Sequence, residues 1–340
     1  MNKLQAFFLL AAVALSVFTH AGVWDSYLAP TYGNTGIHQA NARELVETGA
    51  YPLDNDFSYG GGIPNLYVPI YRFALAQLAM AGLDFDFAQR LIVMLFALAL
   101  PIGFFVFASA FGQWQGVAAA FLASLPAELL IYTIRPLPQA MGLVMLAFAF
   151  GFIAKNHWAA IATGVLIALT HQEAAVFFAM GAFAYGISAK AYDYWRKTES
   201  QNAMLALYAW AATTATYFLW NYFTLGHFNV FALAQFQHHE GAVVTLSMLA
   251  EKTGLLVLAL SAIGLLFALL EMRKAILQKK PACIRVLGIA VLLVGIFAIK
   301  NDLVGISVFM DRFIVFLQFP LILFAAHGTV QGLRWLSDAT

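Results

Sequence analysis

A few short stretches carry reactive side chains in an otherwise apolar chain. Asp25, in Val23-Trp-Asp25-Ser-Tyr, closes the first apolar run. A carboxylate at a membrane edge loses part of its hydration, which raises its pKa toward the range useful to a general base acting on a hydroxyl; it could equally be a solvated turn residue following Trp24. Arg312, in Asp311-Arg312-Phe, heads the last apolar run. Its guanidinium could hold a phosphate through paired charge-assisted hydrogen bonds of about 1.5–3 kcal/mol each. It could equally pair with Asp311 or Asp302, or reach to lipid headgroups. Arg135, beside Pro136 and Pro138, is a second cation with the same two readings. His171-Gln-Glu173 interrupts two apolar runs, where polar groups must find partners or water; it either lines a site or turns the chain between helices.

Other polar residues are weaker signals. His38 falls on the apolar side of an expected helix, where a histidine either orients a substrate or simply packs. Asp54 and Asp56 follow Tyr51-Pro-Leu and could hold acceptor hydroxyls or a divalent ion, or stand as solvated turn carboxylates. Gly60 to Gly62 allow a tight turn, but no Lys-Ser/Thr follows, so this is not a phosphate-binding loop. His227, His238, His239 and Glu240 lack metalloprotease spacing, which disfavours zinc. No cofactor is required by these residues.

The elements that position them lie in a membrane. The 340 residues are 62% hydrophobic and 10% charged, against roughly 45–50% and 25% in soluble chains. Eighteen basic residues balance 17 acidic ones, which leaves no excess for a nucleic-acid backbone. The lone Cys283 excludes an intramolecular disulfide. The expected fold is an all-α polytopic membrane protein in one transmembrane domain, 1–340. About ten spans are expected, near 4–22, 91–110, 115–132, 137–154, 158–170, 174–189, 203–224, 252–271, 286–300 and 313–332. With the N-terminus cytoplasmic, 11 of the 18 Lys/Arg lie inside and 13 of the 17 acids lie on or near the external face. Residues 1–22 could instead be a cleaved signal; the following segment is external in both cases.

Two external loops are expected, 23–90 and 226–252, with no C-terminal soluble domain. In the first, Thr35 can cap a surface helix from Gly36 to Thr48, Gly49 can take the left-handed cap, and Pro52 prevents continuation. Ile37, His38, Ala40, Ala42, Leu45 and Val46 would cover one side. The run Leu66 to Leu83 contains Pro69, Arg72 and Gln77 and reads as a second interfacial helix; counting it as a span would put Lys190, Arg196 and Lys197 outside.

The chain resembles the GT-C superfamily of multispanning glycosyltransferases, which take a sugar from a polyprenyl-phosphate carrier. Four features carry the resemblance. They are Val23-Trp-Asp25-Ser-Tyr after the first span; a His-bearing surface helix ending Glu47-Thr-Gly-Ala-Tyr-Pro, then Tyr67-Val-Pro-Ile-Tyr; Tyr132-Thr-Ile-Arg135-Pro-Leu-Pro-Gln; and Asp311-Arg312-Phe with Pro320-Leu-Ile-Leu-Phe-Ala-Ala. The last looks like the segment that brings an Arg to the carrier phosphate in oligosaccharyltransferases. Glu240 looks like an analogue of their acceptor-binding Glu. The chain departs from that branch in lacking a Trp-Trp-Asp-Tyr-Gly domain and in placing Arg135-Pro-Leu-Pro-Gln where an acidic pair stands. Those departures point away from asparagine and metal dependence, and toward enzymes using a monophosphate carrier such as dolichyl-phosphate mannose, including archaeal ones.

The resemblance implies an inverting hexosyltransferase in a prokaryotic plasma membrane, with its active site external. Its partners would be a polyprenyl- or dolichyl-phosphate-linked sugar and a glycan, glycolipid or protein acceptor. Asp25 would be the base, Arg312 and Arg135 the phosphate partners, and His38, Asp54, Asp56, His171, Glu173, His239 and Glu240 supporting residues. External chemistry has no nucleotide-sugar pool, so the donor must be lipid-anchored. The rival readings are a carrier-lipid transporter or flippase and a noncatalytic lipid-binding subunit. Ion coupling needs ionisable groups near the midplane, and the expected span centres have almost none.

Overall fold

The computed structural model describes residues 1–26, 34–55, 63–65, 67–226, 242–280 and 283–339. These residues are almost wholly helical, with one two-residue antiparallel pair, Asp54–Asn55 against Ile63–Pro64. The helices in order are α1 (Lys3–Ser26), α2 (Thr35–Thr48), α3 (Ile70–Met80), α4 (Phe85–Ala108), α5 (Gln113–Leu122), α6 (Ala127–Ile134) and α7 (Pro138–Ala154). They continue as α8 (Ala159–Ala168), α9 (Gln172–Arg196), α10 (Gln201–Leu225), α11 (Leu246–Thr253), α12 (Leu255–Leu277), α13 (Cys283–Ile299) and α14 (Ile314–Ala339).

A helix stands at each of the ten expected spans, but length and hydropathy support fewer crossings. Five helices, α1, α4, α9, α12 and α14, are long and apolar enough, or six if the pair α5 and α6 is one span broken by 73°. The chain is a multi-pass membrane protein. The break in the third span follows from Pro126: its ring cannot continue α5, and the chain restarts as α6. At α11, Gly254 takes φ +88° and separates a short amphipathic helix from α12, where one helix starting at residue 252 was expected.

The first loop differs from expectation in detail. Thr35 is buried inside α2 rather than capping it, and Asn34 occupies the cap position without its side chain bonding the helix's first N–H groups. Gly49 takes the left-handed cap with φ +71°, its N–H reaching Leu45 O. The buried side of α2 is Thr35, His38, Asn41 and Ala42, while Val46 is exposed. The reason is that α2 packs on α3, which is only 11 residues long. Asp84 caps α4, its carboxylate accepting from Phe87 N at 2.9 Å.

The core is an aromatic and alanine packing of α4, α7, α9 and α14. Phe104 stacks on Phe319 at 5.0 Å, Phe177 meets Phe316 at 5.3 Å, and Phe150 lies 5.2 Å from Phe178. Of the five long apolar helices α14 is the most enclosed. It crosses α12 where Gly264 and Gly328 face one another, with Gly264 against the Phe324 carbonyl. Small residues let helix backbones approach this closely in a membrane. Ser261 Oγ adds a bond to Leu321 O at 2.7 Å. At the opposite end from the site described below, Glu271 of α12 binds Arg285 of α13 at 2.7 Å and accepts from Gln331 of α14 at 3.1 Å.

Candidate active site

Five segments far apart in sequence converge at the end of the bundle where α7 and α9 begin. They enclose a cavity of about 120 Å³. Its lining includes Asn34 and His38 at α2, Tyr67 and Val68 before α3, Leu137 to Gln139 at the start of α7, Thr170 to Glu173 at the start of α9, and Arg312 just before α14. Two helix N-termini therefore open on one space. Each presents the positive end of a helix dipole, which favours an anion.

The two histidines are held in a common state. His171 caps α9, and its Nδ1 accepts from Ala174 N at 3.3 Å. The Nδ1 of His38 accepts from Arg72 Nε at 3.3 Å. An imidazole nitrogen that accepts carries no proton, so each ring keeps its proton on Nε2 as a donor. Burial pushes the pKa of His38 well below 6.5, and Arg72 and His171 add to the effect. Burial, with Arg312 beside it, lowers His171 to about 3.

A stability consequence follows with a definite sign. The unfolded chain protonates these histidines near pH 6.5, whereas folded His171 resists until about pH 3. Unfolding therefore takes up protons in that window, and stability is lost as pH falls through it. The slope is at most about 1.4 kcal/mol per pH unit for each histidine. Thermal unfolding in detergent should show a melting temperature that drops from pH 7 to pH 4.5, and His171→Asn should flatten the drop. An unchanged profile would rule out His171 as its source.

Arg312 Nη1 lies 3.6 Å from Glu173 Oε1, and its guanidinium covers the Phe309 ring at 4.8 Å. The expected alternatives, Asp311 and Asp302, do not hold it; Asp302 pairs with Lys300 at 3.6 Å. The approach to Arg312 is set by buried Asn301, whose side chain donates to Val308 O at 2.7 Å and accepts from Val308 N at 2.9 Å. That clamp carries the chain through positive φ at Ser307 and Phe309.

Of the residues singled out in the sequence, His38, His171, Glu173 and Arg312 meet at the cavity. Arg135 caps α6 and lies over the Tyr132 ring at 5.3 Å; Tyr132 is in turn within electrostatic range of Glu173 and Arg312. Asp25 belongs to the last turn of α1, inside the helix rather than after it, and its side chain lies outside what is described. The same helix is tied to α6 by His20 Nε2 and Thr133 Oγ1 at 3.0 Å, so α1 ends beside the α6–α7 connection. Asp54 is exposed on the strand pair. Asp56, His239 and Glu240 lie outside the described residues. Among the described residues, no three His, Cys, Asp or Glu side chains are grouped to hold a metal ion.

Tyr67, Asn34 and Arg72 were not among the expected site residues. Asn34 Nδ2 donates to Tyr67 Oη at 2.7 Å, and His38 sits edge-on to Tyr67 at 4.9 Å. The spacing Tyr67, Tyr71, with Arg72 adjoining, was the available signal.

No family model and no curated relative matches the chain. Solved structures do. An Archaeoglobus fulgidus oligosaccharyltransferase tethered to an acceptor peptide with the NVT sequon aligns at TM-score 0.60 and 13% identity, over 99% of this chain and 50% of that one. An Archaeoglobus fulgidus oligosaccharyltransferase with zinc and sulfate aligns at 0.58 and 13%, over 97% and 49%. The archaeal oligosaccharyltransferase AglB of the same organism, with an inhibitory peptide and a dolichol-phosphate, aligns at 0.57 and 12%, over 100% and 52%. The chain shares the fold of these structures and spans about half their length.

Proposed function

We propose that the protein is an inverting membrane glycosyltransferase. It moves a sugar from a polyprenyl or dolichyl phosphate carrier to a glycan, glycolipid or protein acceptor at the external face of a prokaryotic plasma membrane. The observation that carries this reading is the convergence of Arg312, two Nε2–H donors and two helix N-termini on one cavity. Those are donors for an anion, set at the end of a helical bundle.

In this reading the acceptor oxygen attacks the anomeric carbon as the bond from that carbon to the phosphate oxygen breaks. The electron pair leaves with the carrier phosphate, and Arg312 with the histidine Nε2–H groups stabilises the growing charge. Asp25 takes the acceptor proton. Glu173 holds Arg312 until the phosphate displaces it, and Arg135 reinforces the positive field. Asp54, Asp56, His239 and Glu240 remain candidate acceptor contacts, and no cofactor enters the scheme.

The experiment is transfer of labelled sugar from polyprenyl-phosphate donors by purified protein in lipid, to mixed glycan, glycolipid and peptide acceptors. Asp25→Asn should lower the rate by about 10²–10⁴ with normal expression. If Asp25→Asn is fully active and Glu173→Gln is not, the base is Glu173. Undiminished transfer in both variants would defeat the acid–base scheme.

A further inference from the structure

Arg72 has no role in that scheme, yet its placement is costly. It lies near the start of α3 with its side chain fully buried. No carboxylate bears on it among the described residues. Its partners are neutral: Nη1 donates to Tyr51 Oη at 2.6 Å and to Asn65 Oδ1 at 2.9 Å, and Nε donates to His38 Nδ1 at 3.3 Å. The guanidinium also lies over the rings of Tyr67 at 5.0 Å and Tyr51 at 5.7 Å. Nη2 is buried without a hydrogen-bond partner. A buried cation with no counter-ion opposes folding by several kcal/mol, so stability alone does not account for this arrangement.

We propose that Arg72 is a positioning residue for the phosphate site. By donating Nε–H to His38 Nδ1, it fixes the imidazole in the tautomer that offers Nε2–H to an anionic phosphate oxygen in the cavity. The proposal rests on the phosphate reading given above. With Nδ1 taken, only Nε2 can serve the cavity that His38 lines. The opposite tautomer would turn a lone pair toward the anion and repel it. The groups facing His38 are Arg72 and Tyr71 from α3, Tyr67 from the turn before it, and His171 from α9, with Arg312 and Glu173 beyond Tyr67 and His171. Among these only Arg72 bonds Nδ1. The cation also opposes protonation of the ring, so the donor stays neutral and Nδ1 stays bare across the physiological range.

The test uses the full chain in lipid, ¹⁵N-labelled at histidine, with His38→Gln assigning the His38 resonances. In the parent, His38 should carry its proton on Nε2 alone and should not titrate between pH 8 and about pH 5. In Arg72→Met it should show mixed tautomers and take up its proton at a higher pH than in the parent, still below the ordinary range because burial remains. Arg72→Lys, which keeps a charge but loses Nε, should restore only part of this behaviour. Binding of the methyl ester of a polyprenyl phosphate is measured in the same samples. This ester is a phosphodiester, singly charged throughout, so any pH dependence belongs to the protein. Parent affinity should change less than about twofold between pH 7.5 and 5.5. Arg72→Met should bind several-fold more weakly at pH 7.5.

A parent His38 protonated on Nδ1, or an Arg72→Met protein with the parent's tautomer and titration, overturns the proposal without reference to transfer. Failure of the ester to bind a parent with the expected tautomer overturns the phosphate reading instead.

Discussion

Replacing Arg312 with alanine should weaken equilibrium binding of a polyprenyl phosphate, in bilayer discs, by more than about 100-fold. Two charge-assisted bonds at about 1.5–3 kcal/mol each set that scale. Partial exposure of the side chain, 38%, trims the figure without removing it. Arg312→Lys should recover only part of the affinity, because an ammonium lacks the planar pair of donors that matches a phosphate. The melting temperature should also fall somewhat: the contact to Glu173 is long, at 3.6 Å, but the Glu173 side chain is only 12% exposed and would lose its cation. An Arg312→Ala protein that binds within twofold of the parent would remove Arg312 from the phosphate site.

Gly264→Val should have the largest effect on folding. A side-chain carbon at Gly264 would collide with the Phe324 carbonyl and the Gly328 amide, which are backbone atoms that cannot swing aside. Overpacking a well-filled core costs about 1–3 kcal/mol and occasionally more; here α12 would have to leave α14, breaking the Ser261 bond to Leu321 as well. The expected readout is loss of the monodisperse peak in detergent, or a melting temperature lowered by many degrees. Gly332→Ala, on the same α14 but with open space where its methyl group would stand, is the control and should behave like the parent. Equal stability of Gly264→Val and the parent would contradict this packing.

How much of this was legible in the sequence depended on the range of the interaction. Apolar runs located the helices because burial in lipid is a local, cumulative property of composition. Polar residues that interrupt those runs, His171, Glu173 and Arg312, were legible as site material because a membrane tolerates them only with partners. Their meeting with His38 was foreshadowed by a shared external placement. Arg72 was not legible. In an apolar run with a proline it reads as an interfacial residue reaching for water, whereas it is buried by Tyr51 and Asn65, 21 and 7 residues away, and by His38, 34 residues away. The break between α5 and α6 was missed for a related reason: Pro126 lies in a run whose hydropathy alone is continuous.

The order in which the cavity acquires its parts bears on how the protein is made. Asn34, His38 and Tyr67 leave the ribosome early, the α7 and α9 starts follow, and Arg312 arrives only with α14. A nascent chain stopped before residue 312 would present neutral donors and helix ends but lack this cation. It would also expose the glycine seam of α12 and the phenylalanines of α4 and α9 that α14 covers. Insertion of the last helix thus both seals the core and arms the site. A chain stopped short would leave that apolar surface open, as incompletely folded chains do.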